Sequence, residues 1–224
     1  NCQTSQEKPN LVLIKIMVQK LPAKDIDIRY LIDNFGLQLI EDEQFFREWQ
    51  DDLPKLTDLE KQLLDRLKKG FINLLQYPLL LENVVKLSVV GPLLFIAGFY
   101  LSPFLVKAEK SIEVQEEDEG VIIEGRLDVL LLKEQFWVMV IESKKAAFSI
   151  EEGLAQLIAY MLADPHPETP SFGMITTGGN FIFVKLVRGE KPQYALSDQF
   201  ALRKRENELY SVLQVFKRLS QLPD

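Results

Sequence analysis

Residues 121–146 read VIIEGRLDVLLLKEQFWVMVIESKKA, and this stretch decides how the chain folds. Two apolar segments, 121–132 and 136–144, flank polar residues at 133–135, a pattern that predicts a β-hairpin. Neither segment alternates cleanly between apolar and polar positions, which is typical of strands that are covered on both faces. Because burying a charged side chain is costly, the charged residues inside this apolar setting predict a functional site. The candidates are Asp128, Glu142 and Lys144.

The length of the turn decides whether these side chains meet. Side chains alternate along a strand, so Glu142 and Lys144 lie on one face. A three-residue turn at 133–135 places Asp128 opposite Val140 and diagonal to Glu142 on the same face. A two-residue turn moves Asp128 to the opposite face. The site therefore requires an odd-length turn or a β-bulge.

Two carboxylates and a lysine are the residues that a Mg²⁺-dependent phosphodiesterase needs. Mg²⁺ prefers carboxylate and carbonyl oxygens, so Asp128, Glu142 and the backbone carbonyl of Ser143 are the expected ligands, and Mn²⁺ is expected to substitute. Lys144 is expected to orient or help deprotonate the attacking water, or to neutralise the pentavalent intermediate. The alternative is a structural ion pair between Lys144 and one of the two carboxylates.

Further motifs flank the hairpin in a fixed order. They are Glu82 with GPLLFIAGF (91–99), AEK (108–110), GRLD (125–128), IESK (141–144), QLIAY (156–160) and TTGGN (176–180). In these motifs and their spacing, residues 78–190 resemble the PD-(D/E)XK nuclease superfamily, and within it the N-terminal endonuclease domain of type I restriction enzyme R subunits. One departure is Leu127, which stands where the family name has a proline and leaves Asp128 intact.

The resemblance implies an α/β fold: a restriction-endonuclease-like core with a mixed central β-sheet flanked by helices, in αβββαβ order. It also implies hydrolysis of DNA and adds Glu82, Gln156 and Tyr160 to the catalytic site. In the family, the Gln-Tyr pair borders the metal and helps place the scissile strand. Taken alone, Gln156 and Tyr160 also fit an ordinary amphipathic helix, and Glu82 fits an exposed helix residue.

Three regions are expected. Residues 1–77 form a mostly helical extension packed on the core, 78–190 form the nuclease-like core, and 191–224 form a helical segment of the same domain.

Within these regions the spacing of apolar residues predicts individual helices. They are expected at 25–36, 42–49 and 150–163, and also from Thr57 to about residue 76, where Thr57-Asp-Leu-Glu60 is a capping box.

The amino-acid composition argues against several classes of catalytic site. The chain has 224 residues, 47% of them hydrophobic, with one His and one Cys, so a Cys/His zinc site and a Ser-His hydrolase lack their residues. Cys2 has no partner for an intramolecular disulfide, and a reducing, cytoplasmic location is expected. The chain has no GxxxxGK[ST] loop, so any ATP-driven motor has to come from a partner subunit.

The net charge of −7 argues against a protein that coats DNA, but a nuclease binding surface is local. Dimerisation would assemble a wider basic groove. The cations expected to contact phosphate or offset the acidic residues are Arg126, Lys144, Lys145, Lys185, Arg188 and Lys191.

Residues 87–106 contain twenty residues without a charge, which is long enough to cross a bilayer. Gly91-Pro92, Gly98 and Pro103 interrupt the stretch, so a core helix followed by a strand is expected, with no membrane association. A second hypothesis for the whole chain is a non-catalytic nuclease-fold adaptor that binds a protein or nucleic-acid partner. The acidic composition and the N-terminal extension favour the adaptor, whereas the complete motif set favours the enzyme.

Overall fold

The computed structural model describes residues 19–77, 82–115, 121–133, 136–143 and 150–222. These residues form an α/β fold in which helices flank a mixed central β-sheet, as expected from the sequence. Lys144 and Lys145 lie outside the described residues.

One sheet contains all the strands of the described part of the chain. They are β1 (Gln19–Pro22), β2 (Gln38–Leu39), β3 (Phe104–Gln115), β4 (Val121–Lys133), β5 (Phe136–Ser143), β6 (Ser171–Thr176), β7 (Asn180–Val187), β8 (Gln193–Leu196) and β9 (Phe200–Ala201). The order across the sheet is β4-β5-β6-β7-β8-β2, while β1 and β3 also pair with β4 and β9 pairs with β7. The pairs β1–β4, β5–β6 and β2–β8 are parallel, and the others are antiparallel.

Helices cover both faces of the sheet. They are α1 (Ile28–Phe35), α2 (Asp58–Leu74), α3 (Glu82–Val85), α4 (Gly91–Ile96), α5 (Ile150–Leu162) and α6 (Leu209–Leu219). Helices α1 and α5 pack on one apolar core, here called the α5 face. Helices α2, α4 and α6 pack on the other, here called the α2 face.

A π-helical segment, Lys86–Val90, joins α3 to α4. Pro92 has no amide hydrogen, so the carbonyl of Ser88, four residues earlier, loses its helical donor. Directly before the proline, the Gly91 amide donates to the Lys86 carbonyl, five residues back. Such widened turns are frequent at functional sites.

The predicted capping box at the start of α2 is confirmed. The Glu60 amide donates to Thr57 Oγ1 at 3.2 Å, and the Thr57 amide donates to Glu60 Oε2 at 2.7 Å. The predicted helix at 42–49 is wrong, because these residues form turns. The Asp42 carboxylate accepts from the Gln44 amide at 2.9 Å, and such local bonds compete with helix formation.

The two terminal regions contain strands as well as helices. Within 1–77, β1 and β2 join the sheet, so the expected mostly helical extension supplies two strands to the core. Within 191–224, β8 and β9 precede the single helix α6. Pairing to β7 explains β8 and β9, and this tertiary contact leaves little local signal.

The stretch at 87–106 divides between the π segment, α4, a turn and the beginning of β3. No helix among the described residues is long and apolar enough to cross a membrane.

Strand β4 has one edge that two other strands share. Strand β3 pairs with β4 along 122–133 and occupies the first edge. On the second edge, β1 pairs with 121–124 and β5 pairs with 129–133. Residues 125–128 lie in the interval between these two ladders, here called the β4 gap. Asp128 is the last residue of that gap.

The turn between β6 and β7 packs against α2 and requires a glycine. Gly178 has a φ of 78°, and a Cβ placed there would lie 2.8 Å from the Phe71 ring. Its amide donates to Thr176 Oγ1 at 2.9 Å. The expected TTGGN turn is therefore held by both local hydrogen bonds and core packing.

Replacing Gly178 with Ala is expected to lower the free energy of unfolding by about 1–3 kcal/mol, because of backbone strain and the clash with Phe71. Gly70→Ala is the control, since a Cβ at this position inside α2 meets nothing within 4 Å. It should raise the same free energy by about 0.5–1 kcal/mol. Urea denaturation followed by circular dichroism measures both. Equal stability of the two variants would contradict the role of the turn.

Candidate functional site

The β4–β5 hairpin brings the two predicted metal ligands together by a bulge. Lys133 pairs with Phe136, so two residues separate the strands, and the predicted three-residue turn is wrong. A register shift lies between Leu131 and Leu132 and places one extra residue on β5. With a two-residue turn alone, Asp128 and Glu142 would lie on opposite faces of the sheet. The extra residue on β5 returns them to the same face.

Beyond the bulge the register differs from the expected one. Val140 pairs with Leu130 and not with Asp128, and the last pair of the ladder is Val129 with Ile141. Asp128 and Glu142 are the next residues on the two strands. The bulge, the second of the two arrangements that the sequence allows, therefore sets these carboxylates at the same level, where the strands separate.

Both carboxylates are buried, with 7% of Asp128 and 2% of Glu142 exposed. Glu142 pairs with Ile175, which belongs to the core of the α5 face, and paired residues share a face. The negative charges of Glu142 and Asp128 both raise the pKa of Tyr160 on α5. All three side chains therefore lie within electrostatic reach of one another.

The backbone is distorted beside Asp128. Leu127 and Leu130 both belong to the core of the α5 face, which regular alternation does not allow. On the neighbouring strand, Glu109 has a φ of 52°, and the β3–β4 ladder omits it. Arg126 Nε donates to the Glu109 carbonyl at 2.9 Å. Strained backbone is found preferentially at functional sites, and here it lies opposite a candidate ligand.

Arg126 and Glu109, weaker candidates from the sequence, thus bind each other across β3 and β4. Their side chains approach to 3.2 Å, and both are more than half exposed. An exposed pair of this kind contributes little to stability. The contact that joins the two strands at the distortion is the hydrogen bond from Arg126 Nε to the Glu109 carbonyl.

Gln156 and Tyr160 of α5 fill the β4 gap. Gln156 Nε2 donates to the Tyr160 hydroxyl at 2.7 Å, and that hydroxyl donates to the Arg126 carbonyl at 3.2 Å. A Cβ at Gly125 would lie 2.7 Å from the Tyr160 hydroxyl, so the glycine of the GRLD motif admits the ring. Burial raises the pKa of Tyr160 to about 12; the Gln156 hydrogen bond opposes the rise, and the Glu142 charge adds to it.

A cleft of about 550 Å³ opens beside the gap, between β1, β3, β4 and α5. Its wall includes Glu124, Arg126, Gln156 and Tyr160. Gln156 and Tyr160 thus line the inner wall of the cleft while remaining largely buried, with 9% and 2% of their surfaces exposed.

Lys86 contacts the site and was not expected from the sequence. Its Nζ donates to Asp128 Oδ1 at 2.9 Å and lies 3.4 Å from Glu82 Oε1. Glu82, a predicted site residue, is thus joined to Asp128 through Lys86. The spacing of Glu82 and Lys86 by four residues was a visible signal of an ion pair on a helix.

Lys86 is a charged residue in a partly buried position, with 21% of its side chain exposed. Burial alone lowers the pKa of Lys86, but the hydrogen bond and the negative charge of Asp128 outweigh it, and the net pKa is raised. The ammonium therefore stays protonated at neutral pH.

The donor types at this position suit a hard divalent cation. Asp128 and Glu142 offer carboxylate oxygens, and Ser143 ends β5 directly beside Glu142. No group of three or more Asp, Glu, His or Cys residues that could hold a metal exists among the described residues. Mg²⁺ is compatible with a set of two carboxylates, because it retains several waters.

Neither a scan against protein-family models nor a search of curated proteins finds a match to this chain. The resemblance to PD-(D/E)XK nucleases therefore rests on the sequence motifs.

Two of the cations expected to offset the acidic residues have structural partners instead. Lys185 Nζ donates to the Phe45 carbonyl at 2.9 Å and binds the Glu48 carboxylate. Arg188 donates to the carbonyls of Leu162 and Asp164 at the end of α5. Lys191 is exposed near Gly36, beside β2 at the far edge of the sheet.

Tyr160→Phe is expected to change how stability depends on alkaline pH. A phenol with a pKa near 10 when unfolded and about 12 when folded contributes stability below pH 10, which is lost as the pH rises towards 12. Wild type should therefore lose more stability between pH 9.5 and 11.5 than Tyr160→Phe, as ~pH 10 is the ordinary tyrosine value.

Urea midpoints at the two pH values measure the difference. Tyr77→Phe, at an exposed tyrosine, is the control and should follow wild type. If Tyr160→Phe also follows wild type, the hydroxyl is not held as described.

Proposed function

We propose that the chain is a Mg²⁺-dependent deoxyribonuclease that hydrolyses DNA phosphodiester bonds. The strongest support is the β4–β5 bulge, because it brings Asp128 and Glu142 to one level where the strands separate. A hairpin that only needed an ion pair would have no reason to bury two carboxylates at the open end of a ladder.

The order of elements supports a restriction-endonuclease-like core. Helices α3 and α4 precede the antiparallel strands β3, β4 and β5, and α5 then leads to β6 parallel to β5. This succession agrees with the αβββαβ order of PD-(D/E)XK nucleases. Within that superfamily, we propose the R-subunit endonuclease domain as the nearest type.

In this proposal Asp128, Glu142 and the Ser143 carbonyl hold Mg²⁺. When bound, the metal acidifies a coordinated water and stabilises charge on the phosphate. The Lys144 ammonium would orient the attacking water or offset the negative charge on the oxygens of the pentavalent intermediate. The water would form a new P–O bond and release a proton to solvent, while the P–O bond to the sugar oxygen breaks and that oxygen takes up a proton. Lys144 is assigned by its place in the IESK motif alone.

Gln156 and Tyr160 have a positioning role in this proposal. The raised pKa keeps the Tyr160 hydroxyl protonated at neutral pH, so it remains a donor to the Arg126 carbonyl. This bond fixes the part of β4 that ends at Asp128. The adjoining cleft provides room for the nucleotide beside the scissile phosphate.

A local cationic surface supports DNA as the substrate. Arg203, Lys204 and Arg205 are exposed in a chain of net charge −7, and Lys204 pairs with Glu208 at 2.8 Å. The Leu202 amide donates to the Gly179 carbonyl at 2.9 Å, which ties this segment to the β6–β7 turn. That turn follows Thr176, the partner of Ser143 in the ladder. The cations therefore lie near the end of the sheet at which β5 terminates, and phosphates there would contact them.

The wider setting follows from the same proposal. We propose a reducing, cytoplasmic environment, and a homodimer that would broaden the basic surface. These 224 residues contain no GxxxxGK[ST] motif, so they supply no P-loop of their own for ATP hydrolysis.

The Lys86–Asp128 contact favours a second candidate function. An ammonium already neutralises one of the two proposed metal ligands. The same fold would then serve as an adaptor that binds a protein or nucleic acid without cutting it. The cleavage experiment below separates the two functions.

Asp128→Asn is expected to abolish Mg²⁺-dependent DNA cleavage, because the amide keeps the shape but loses the charge that binds the metal. Glu142→Gln and Lys144→Ala should have the same effect, and EDTA should inhibit wild type. A panel of labelled duplex, branched and single-stranded DNA measures the activity.

The matched control is Asp33→Asn, which removes an exposed carboxylate that pairs with Arg29 at 2.8 Å on α1 and should retain activity. Circular dichroism verifies that each variant is folded. Wild-type protein that leaves every substrate intact with Mg²⁺ and Mn²⁺ would favour the adaptor, and cleavage by Asp128→Asn would refute the site.

A further inference from the structure

Lys86 pairs with a carboxylate that the proposed function assigns to the metal. Its ammonium is fixed between two carboxylates, 2.9 Å from Asp128 and 3.4 Å from Glu82. Asp128 is the more deeply buried of the two, with 8% of its side chain exposed against 40% for Glu82. Lys86 therefore supplies positive charge to a carboxylate that solvent reaches poorly.

The helix geometry places Lys86 there. Lys86 is the first residue of the π segment, and its carbonyl accepts from the Gly91 amide. The following residues Val89 and Val90 are anchored in the core of the α2 face. The contact is therefore part of a packed helix and not of a freely rotating surface chain.

We propose that Lys86 is an internal counter-ion of Asp128 that a divalent metal has to displace, so that it sets the metal affinity of the site. The inference rests on the proposed function, in which Asp128 is a metal ligand. An ammonium and a divalent ion on one buried carboxylate repel each other strongly, because a protein interior screens charge less than water does.

Glu82 has a defined part in this exchange. It lies one helical turn before Lys86 and already accepts from it at the longer distance. When the ammonium leaves Asp128, Glu82 is the carboxylate that receives it. Glu82 is thus a positioning residue that favours metal binding without touching the metal. Lys86 in turn allows the metal-free chain to fold with Asp128 buried.

The test measures Mn²⁺ binding by isothermal titration calorimetry, so it does not depend on cleavage. Lys86→Met should bind Mn²⁺ about tenfold more tightly than wild type, or better, because the competing charge is gone. Glu82→Gln should bind several-fold more weakly than wild type. Lys86→Gln, which keeps a neutral donor, protects against a folding failure of the Met variant and should also bind more tightly.

The matched control is Lys217→Met. Lys217 is likewise a partly exposed lysine bound to a carboxylate, Glu60. Glu60 lies eleven residues before Phe71 on α2, which is about 16 Å along the helix from the residue that packs against Gly178. This variant should bind Mn²⁺ as wild type does.

A thermal readout tests the counter-ion role separately. In EDTA, Lys86→Met should unfold at a lower temperature than wild type, and millimolar Mn²⁺ should raise that temperature more than it does for wild type. The double variant Lys86→Met/Asp128→Asn should show no such metal-dependent rise. A lysine with only a structural role would lower the unfolding temperature and leave metal affinity unchanged.

The outcomes separate the two proposals. If wild type and Lys86→Met bind Mn²⁺ equally and Asp128→Asn abolishes binding, the metal site stands and the role of Lys86 is refuted. If Lys86→Met binds Mn²⁺ and wild type does not, the result supports competition between Lys86 and the metal for Asp128. If neither variant nor wild type binds Mn²⁺ and no DNA is cut, both the nuclease function and the exchange are refuted.

Discussion

The structure depends on the shared edge of β4. Strand β1 occupies the beginning of that edge and β5 occupies the end, so the β4 gap between them leaves backbone groups that neither strand satisfies. Buried backbone groups need partners, and the Tyr160 hydroxyl supplies one to the Arg126 carbonyl. The same requirement explains Gly125, because any side chain there would exclude the Tyr160 ring. The β4 gap thus determines which residues the GRLD motif contains.

The β4 gap also explains why charged side chains lie close together at this point. Where two strands separate, side chains leave the regular alternation and reach both layers of helices. Asp128 does so: it bonds to Lys86 in the helix that packs on the α2 face, while its charge acts on Tyr160 in α5. The positive φ of Glu109 on the adjacent strand marks the distortion that this requires. A site between layers is therefore a consequence of the sheet topology.

Sequence reasoning recovered the features that depend on local periodicity and turn chemistry. The hairpin, α5, the α2 capping box and the β6–β7 turn are of this kind, and so is the confinement of residues 87–106 to short elements. The sequence allowed an odd-length turn or a bulge but did not decide between them, because both hairpin arms are apolar and neighbouring registers bury similar surface. Lys86 was missed because its partner Asp128 is 42 residues away, and only tertiary packing joins them. The turns at 42–49 and the strands β8 and β9 depend on local side-chain bonds and on pairing with β7, which periodicity does not reveal.

Burial decides how the ion pair at Asp128 has to be understood. Removing one partner of a buried pair typically costs about 3–5 kcal/mol, a large part of the roughly 5–15 kcal/mol that stabilises a domain. Surface pairs such as Arg126–Glu109 contribute at most about 1 kcal/mol and can be lost without consequence. A carboxylate as buried as Asp128 therefore needs a cation in every state of the protein. A lysine on a packed helix provides that cation when no metal is bound, and a neighbouring glutamate gives the lysine a second acceptor. For the proposed metal site this arrangement has a consequence during folding, because the contact with Lys86 holds the Asp128 carboxylate in place before any metal binds.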